Sequence, residues 1–443
     1  MSMKTLRVKD NASLLKEAFV PISSLVNRVS DKTLGQLEKE GIFVFPDLIK
    51  DAEDITREQM IIKSKDNYYK TSNVMGFLGY GDDQLVIESR FSTNEQDYFL
   101  QYMLEIVMDF PNILDLNTSA NQENQLFNLL VFLFPIYLKS AMRKGVFKTY
   151  INNNYNDSNI KGKIDIPRHI KENTPFLGKV AYSKREFSYD NYLMELIRHT
   201  IEFIKHQAYG KTLMKKVKKE VDSIVDTTKN YSPQEKIKII QINKKKPITH
   251  AFYHEYRSLQ RLCIMILQHE KHQIGSGMKQ VHGILFDGAW LWEEYVNSLI
   301  QDKFYHPMNK GGNGAQWLFS TKNSKVGLIY PDFISKDTDN RIIADAKYKP
   351  MHNIGNRDYL QVLAYMFRFD AHKGYFLYPD QNGDDSLQLK LNQGVTYEND
   401  VQPHRDIMVT KCGLIIPDNA TSYEDFVMKM KKKEKKFVVR MMG

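Results

Sequence analysis

The chain is poor in the features that would place it outside a reducing, aqueous compartment. Its 443 residues include only two cysteines, Cys263 and Cys412, far apart and each in an apolar segment. That scarcity argues against a disulfide framework and against a thiolate zinc site. No apolar run reaches the roughly 18 residues of a membrane span. The opening "MSMKTLRVKDN" has no apolar signal-peptide core. A reducing cytoplasm is therefore the expected compartment. Internal repeats and low-complexity tracts are missing as well. So is a phosphate-binding loop, which needs Gly-x-x-x-x-Gly-Lys-Ser/Thr after a strand. Gly210, Lys211 and Thr212 read "GKT", but Lys205 stands where the first glycine belongs and the preceding segment has helical periodicity. "NKGGNGAQW" lacks the lysine and hydroxyl pair and reads as a hairpin loop. Nucleotide-driven work would have to be fuelled by a partner.

What is present is a globular composition, 42% hydrophobic and 26% charged, in a chain too long for one ordinary core. The net charge of +9 favours an anionic partner such as nucleic acid. Three regions are expected: an N-terminal α+β domain over 1–110, a mainly helical middle region over 111–280 and a C-terminal domain over 281–443. In the first, "DKTLGQLEKEGIFVFP" reads as a helix running into a strand, and "GYGDDQ" as a turn between strands. In the second, "YDNYLMELIRHTIEFIKHQ" and "AFYHEYRSLQRLCIMILQHEKH" carry apolar residues at helical spacing. Lysine is densest over 211–247 and again in the C-terminal "MKMKKKEKKFVVRMMG". Each run reads as a solvated helix face or as a phosphate-binding surface. His250 and His254 sit one helical turn apart, and "HEKH" at 269–272 resembles a shortened zinc motif. Neither is followed by a suitable further ligand, so ordinary surface is expected for both.

The C-terminal region reads α-β-β-β-α-β, a mixed sheet with a helix packed on it. Its informative stretch is "YPDFISKDTDNRIIADAKYK", residues 330–349. Two β-rich apolar runs flank a polar turn, which predicts a hairpin. Asp332, Asp345 and Lys347 interrupt those runs, where unpaired charge costs several kcal/mol. Asp345 and Lys347 are two apart and share a strand face. Closing the hairpin with Ile334 opposite Arg341 makes Asp332 and Asp345 diagonal neighbours about 7–8 Å apart. A cation between two such carboxylates offsets their repulsion, and Mg²⁺ takes oxygen ligands of this kind. Such a site would activate a water and neutralise a phosphate under attack. Glu293, on the helix before, can add a ligand or anchor a water. Gln361 and Tyr365, four apart on the helix after, would present an amide and a hydroxyl to a phosphate backbone.

Pro331, Asp332, Asp345 and Lys347, followed by Gln361 and Tyr365, resemble the core motif of the PD-(D/E)xK nucleases and its Gln-x-x-x-Tyr extension. More narrowly, the chain is similar to the McrC-type nuclease subunits of GTP-dependent restriction systems, closest to the LlaJI branch. "IKGKIDIPRHI" followed by "FSYDNYLMELIRHTIEFI" carries that likeness in the middle region. "WEEYV" carries it in the C-terminal domain and favours Glu293 over Glu294. "TSNVMGFLGYGDDQLVIESRF" carries the LlaJI likeness.

The resemblance implies a nuclease domain over 281–443 with an αβββαβ core. It further implies double-stranded DNA cleavage dependent on Mg²⁺, with Mn²⁺ as a substitute, and on a McrB-like AAA+ GTPase that binds the GTP. Asp332, Asp345, Lys347 and Glu293 would be catalytic, with Asp332, Asp345 and Glu293 holding the metal. Two nuclease domains would pair to cut both strands. Two other readings fit the same residues: a non-catalytic assembly factor that stimulates a partner NTPase, and a RecB-like exonuclease. Arg143, Arg168 and Arg185 are basic positions of the middle region without an assigned role.

Overall fold

The computed structural model describes residues 4–40, 42–45, 58–92, 97–108, 122–207, 209–272, 281–307, 314–381, 383, 386–394 and 401–442. The glycine-rich run at 309–313 and the side chains of His269 and His272 lie outside the described residues. The chain divides into two units, Met1–Leu126 with Gly277–Gly443, and Phe127–Ser276. Among the described residues no helix is long and apolar enough to cross a membrane.

The first unit holds a five-stranded sheet in the order Lys4–Lys9, Asp83–Glu88, Val74–Tyr80, His282–Asp287, Ile42–Phe45. The helix Leu34–Glu40 precedes its edge strand Ile42–Phe45, and Gly81 (φ +59°) makes the tight turn inside "GYGDDQ". Ile22, Leu25, Val29, Ile62, Leu78, Ile87 and Leu285 form one core on this sheet. Strand His282–Asp287 falls in the C-terminal stretch of the sequence yet sits inside this N-terminal sheet, antiparallel to Val74–Tyr80. Its close approach depends on Gly76 (φ +141°), where a Cβ would stand 2.1 Å from the Ile284 carbonyl oxygen.

A second sheet of this unit is six-stranded and mixed, in the order Phe304–Tyr305, Phe333–Ser335, Ile342–Ala346, Lys373–Asp380, Gln402–Ile415, Ser386–Gln393. Ile342–Ala346, Lys373–Asp380 and Gln402–Ile415 run parallel, and the outer strands antiparallel. The helix Asn356–Arg368 packs Val362, Tyr365 and Met366 against Ile343, Phe376 and Tyr378 of the sheet. Helices Tyr98–Val107, Gly288–Ile300 and Tyr423–Met442 pack on one another through Phe99–Trp292, Tyr102–Tyr295 and Tyr98–Phe426 ring contacts. Trp292 Nε1 then donates to the Leu377 carbonyl, pinning the helix Gly288–Ile300 to the sheet.

One detail of strand continuity differs from the sequence reading. "VGLIYPDFI" is not a single strand. Lys325–Ile329 pairs with Gln316–Ser320 in a separate two-stranded ribbon, and Phe333–Ser335 alone joins the six-stranded sheet. Pro331 lies in the break, where it has no N–H to give a ladder. The ribbon's apolar side chains, Trp317, Phe319, Val326 and Leu328, are exposed, so hydrophobicity alone overstated their burial.

The second unit centres on helix Tyr192–Lys205, which begins directly after "DN" because Asn191 Oδ1 accepts from the Leu193 and Met194 N–H groups. Leu196, Ile197, Ile201, Leu259, Leu262 and Ile266 are buried around it. Besides helices, this unit carries an antiparallel sheet of Thr149–Asp157, Val180–Ser188 and Lys163–Ile164. The first of those strands, "TYINNNYND", alternates half-buried and exposed positions. Its asparagines hide that period from any hydrophobic pattern.

Candidate active site

The strand Ile342–Ala346 carries the site. It is bordered by Phe333–Ser335 on one side and Lys373–Asp380 on the other, which buries Asp345 to 1% exposure. The observed register corrects the expected one: Ile334 pairs with Ile343, not Arg341, and Phe333 with Ala344. Asp337 Oδ1 accepts from the Asp339 and Asn340 N–H groups, and Ser335 Oγ accepts from the Ile342 N–H. This side-chain-built turn takes up two more residues than a plain closure. Continued one step, the register sets Asp332 directly across from Asp345 rather than on the diagonal.

The three motif residues meet. Asp332 Oδ2 accepts from the Ala346 N–H at 2.8 Å, between Asp345 and Lys347 in sequence. Lys347 Nζ lies 2.6 Å from Asp345 Oδ2, and it donates to Gln361 Oε1 at 3.3 Å. Gln361 Nε2 in turn donates to the Tyr365 hydroxyl at 2.7 Å. The helix after the hairpin therefore brings both of its expected residues to the site, but turns them inward onto Lys347 and onto each other. Tyr365 is buried, and that burial pushes its hydroxyl pKa up to about 12.

Two residues that sequence reasoning missed complete the arrangement. His306 stacks on Phe333 at 5.0 Å, and its Nδ1 donates to the Asp332 carbonyl at 2.8 Å. The carbonyl can only accept, so Nδ1 carries a proton and Nε2 faces the glutamates. Glu293 Oε1 stands 3.6 Å from that nitrogen and Glu294 Oε1 3.7 Å. The second missed residue is Asp358, in the first turn of Asn356–Arg368. It accepts from the Gly355 N–H, pairs with Lys349 Nζ at 2.7 Å, and lies 3.9 Å from Lys347 Nζ. A lone histidine before Pro307 gives no spacing signal. Asp358 reads only as an acidic residue at a helix start, although Lys347 and Lys349, two apart, hint at a shared acid.

The electrostatics follow from crowding. Burial raises the Asp332 pKa well above the usual carboxylate range, and the charges of Glu293 and Asp345 raise it further. Burial alone would lower the Lys347 pKa, but Asp345 and Asp332 outweigh it and hold the ammonium protonated. The same contest raises His306: burial opposes the charge, while Glu294, the Asp332 carbonyl and Glu293 favour it. Among the described residues no group of three His, Cys, Asp or Glu side chains is already gathered around one point as a metal set. The oxygens on offer are Asp332 and Asp345, with Glu293 near enough to act on Asp332 through its charge. Two carboxylates and solvent are a sufficient donor set for Mg²⁺, which keeps several of its waters.

The basic positions of the middle region have separate fates. Arg168 Nη2 is committed to the Tyr155 and Tyr182 carbonyls, while Arg185 lies over the Tyr150 ring at 4.4 Å. The Arg143 N–H donates to the Ser140 carbonyl. His250 and His254 flank a short 3-10 turn and are exposed.

A family model described as "McrBC 5-methylcytosine restriction system component" matches residues 69–379. Two solved structures are similar, both from Thermococcus gammatolerans. One is a refined half-complex from a tetradecameric assembly of McrB AAA+ hexamers with bound McrC. The matched chain is 14% identical, with 97% of this chain and 99% of that chain covered and a TM-score of 0.46. The other is a cryo-EM structure of the McrBC complex, at 14% identity, 67% and 87% coverage and a TM-score of 0.31. Comparison with curated proteins finds no match.

Proposed function

The chain belongs to the McrBC family of restriction-system components, and from that premise we propose that it is the McrC-type nuclease subunit, of the LlaJI branch. It cuts double-stranded DNA in the bacterial cytoplasm when activated by a McrB-like AAA+ GTPase. One observation carries the catalytic part: Asp332, Asp345 and Lys347 converge on one buried point between the helix of Glu293 and the helix of Gln361.

Asp332 and Asp345 would hold Mg²⁺, or Mn²⁺ in its place, with Glu293 as a third ligand or as the anchor of a ligand water. The ion, when bound, supplies charge neutralisation at the phosphate and an activated water. Lys347 places a permanent cation beside the scissile phosphate and opposes the negative charge that develops there. Asp345 and Gln361 fix where that ammonium stands, and Gln361 is itself steadied by Tyr365. Gln361 and Tyr365 are on this reading positioning residues for the DNA backbone, acting through Lys347.

The GTP belongs to the partner. Gly210–Lys216 is a helix that follows the helix Tyr192–Lys205, the wrong setting for a phosphate loop. Partner docking falls to the middle region, where Tyr150, Ile166, Leu177 and Phe187 are exposed on and beside the three-stranded sheet. Apolar surface of that kind marks interaction sites. Two nuclease domains pair to complete a double-strand cut.

Cleavage of long duplex DNA with Mg²⁺ tests this, using wild type and Asp345→Ala, each with and without GTP and the McrB-like protein. Cutting that needs wild type, partner and GTP together is the expected result. Stimulated GTP hydrolysis with no cutting by either protein would instead make the chain an assembly factor. Cutting only from DNA ends would make it an exonuclease.

A further inference from the structure

The C-terminal lysine run is not absorbed by the site. It lies on helix Tyr423–Met442, whose inner face is fully committed. Tyr423, Phe426, Met430, Phe437 and Met441 are buried. Glu434 accepts from the Tyr102 hydroxyl at 2.8 Å and the Tyr295 hydroxyl at 2.6 Å, and Arg440 Nη2 donates to the Gly413 carbonyl. Lys429 pairs with Asp425 one turn earlier. Outward between Met428 and Val439, which are themselves exposed, stand Lys431, Lys432, Lys435 and Lys436, exposed, with Lys433 half-exposed. None of these forms an ion pair among the described residues, and the one acid of that stretch, Glu434, is turned inward. Beside them opens a cleft of about 570 Å³ lined by Ile415, Lys433, Lys435, Lys436, Val439 and Arg440.

We infer that this outward face, Lys431 to Lys436 with its flanking cleft, is a binding face for the phosphate backbone of duplex DNA. The inference rests on the nuclease reading and adds where the substrate is gripped. Charge complementarity chooses the occupant. The helix keeps its continuous apolar face in the core; Met428 and Val439 are its exposed large apolar side chains, eleven residues apart, too few for a membrane-inserting stripe. From Lys431 to Lys436, six residues, the helix rises about 7.5 Å, and duplex DNA presents about one negative charge per 1.7 Å of its axis. A polyanion matches such unopposed charge density better than a single acidic side chain or a lone phosphate. The anchoring also has a consequence for register. Glu434 ties this helix to Tyr295, two residues along the same helix from Glu293. Duplex held on the lysines would thus be held by an element fastened to the helix that serves the candidate active site.

The test is binding of a labelled random-sequence duplex by the full chain in EDTA, followed by anisotropy between 50 and 200 mM salt. K432Q/K435Q/K436Q is compared with K63Q/K65Q/K70Q, which removes equal charge from exposed lysines outside both lysine-rich runs. Each phosphate contact contributes about 0.9 to the slope of log K against log salt. The C-terminal triple variant is expected to flatten the slope by about 2–3 and to bind about tenfold more weakly or worse at 0.1 M salt. The control should keep the wild-type slope, and both variants should keep the wild-type Tm. An unchanged slope in the C-terminal variant, or equal losses in both, overturns the inference. Loss of partner binding with DNA binding intact also overturns it and assigns the face to the partner. In each of those cases wild-type cutting that Asp345→Ala abolishes leaves the nuclease reading standing. A wild type that neither binds nor cuts duplex removes both.

Discussion

Lys347 Nζ stands 2.6 Å from Asp345 Oδ2, and Asp345 is the more deeply buried partner of the two. The ammonium is the cation nearest a carboxylate that otherwise faces Asp332 across the hairpin. Removing either charge therefore has different consequences for folding and for chemistry. Lys347→Ala leaves Asp345 beside Asp332 without a counter-charge and should cost about 3 kcal/mol in urea unfolding. Lys347→Met keeps the stem packing and should cost less. Asp345→Asn keeps the shape and should unfold close to wild type. All three should lower DNA cleavage by about 10²–10³-fold or more, the usual effect of losing one preorganised charge. An Asp345→Asn protein that cuts normally would remove Asp345 from the chemistry.

A second expectation concerns metal. If Asp332 and Asp345 hold Mg²⁺, the folded chain binds it and the unfolded chain does not. Mg²⁺ then stabilises by mass action, by about 2.7 kcal/mol at a hundredfold excess over Kd. Thermal unfolding with and without 10 mM Mg²⁺ should show a rise in Tm for wild type and for Gln361→Ala, and none for Asp332→Ala or Asp345→Ala. Gln361→Ala should still cut, about tenfold more slowly, because Lys347 loses a guide rather than its charge. Equal Tm shifts in all four proteins would place any bound Mg²⁺ somewhere else.

The readability of these parts from sequence varied for physical reasons. Asp332, Asp345 and Lys347 stood out because a period of two makes an ionisable residue in a β run conspicuous, and Gln361 and Tyr365 because a spacing of four shares a helix face. The register was harder: Asp337 and Ser335 build the turn from side chains, and only their hydrogen bonds decide that Ile334 meets Ile343. The ribbon Gln316–Ser320 with Lys325–Ile329 has the composition of a core strand, yet none of its residues is fully buried. His306 was invisible because its role depends on a tertiary meeting of three elements rather than on any spacing.

Acid should destabilise the middle unit through His199. The ring is buried at 4% exposure, edge-on to Tyr231, and burial together with Lys236 lowers its pKa to about 4. A folded-state value below the unfolded one, about 6.5, means that the unfolded chain takes the proton first. The contribution is therefore intact above about pH 6.5 and lost progressively as pH falls toward about 4. Urea midpoints of wild type should fall between pH 7 and pH 5 more steeply than those of His199→Leu. Parallel lines for the two proteins would show that His199 does not govern the acid limb.

The last expectation separates packing from positioning at His306. Its ring does three things: it stacks on Phe333, holds the Asp332 carbonyl through Nδ1, and sets Nε2 between Glu293 and Glu294. His306→Phe keeps only the stacking. His306→Asn keeps a donor for the carbonyl and gives up the charge. His306→Ala gives up all three. If the histidine acts by orienting Asp332 and Glu293 toward a metal, the Phe and Ala variants should need about 10–100-fold more Mg²⁺ for half-maximal cleavage. Their rate at saturating Mg²⁺ should change less. The Asn variant should lie between them and wild type. A Phe variant with the wild-type Mg²⁺ requirement would reduce His306 to a packing residue, and the proximity of its Nε2 to the two glutamates would then carry no catalytic meaning.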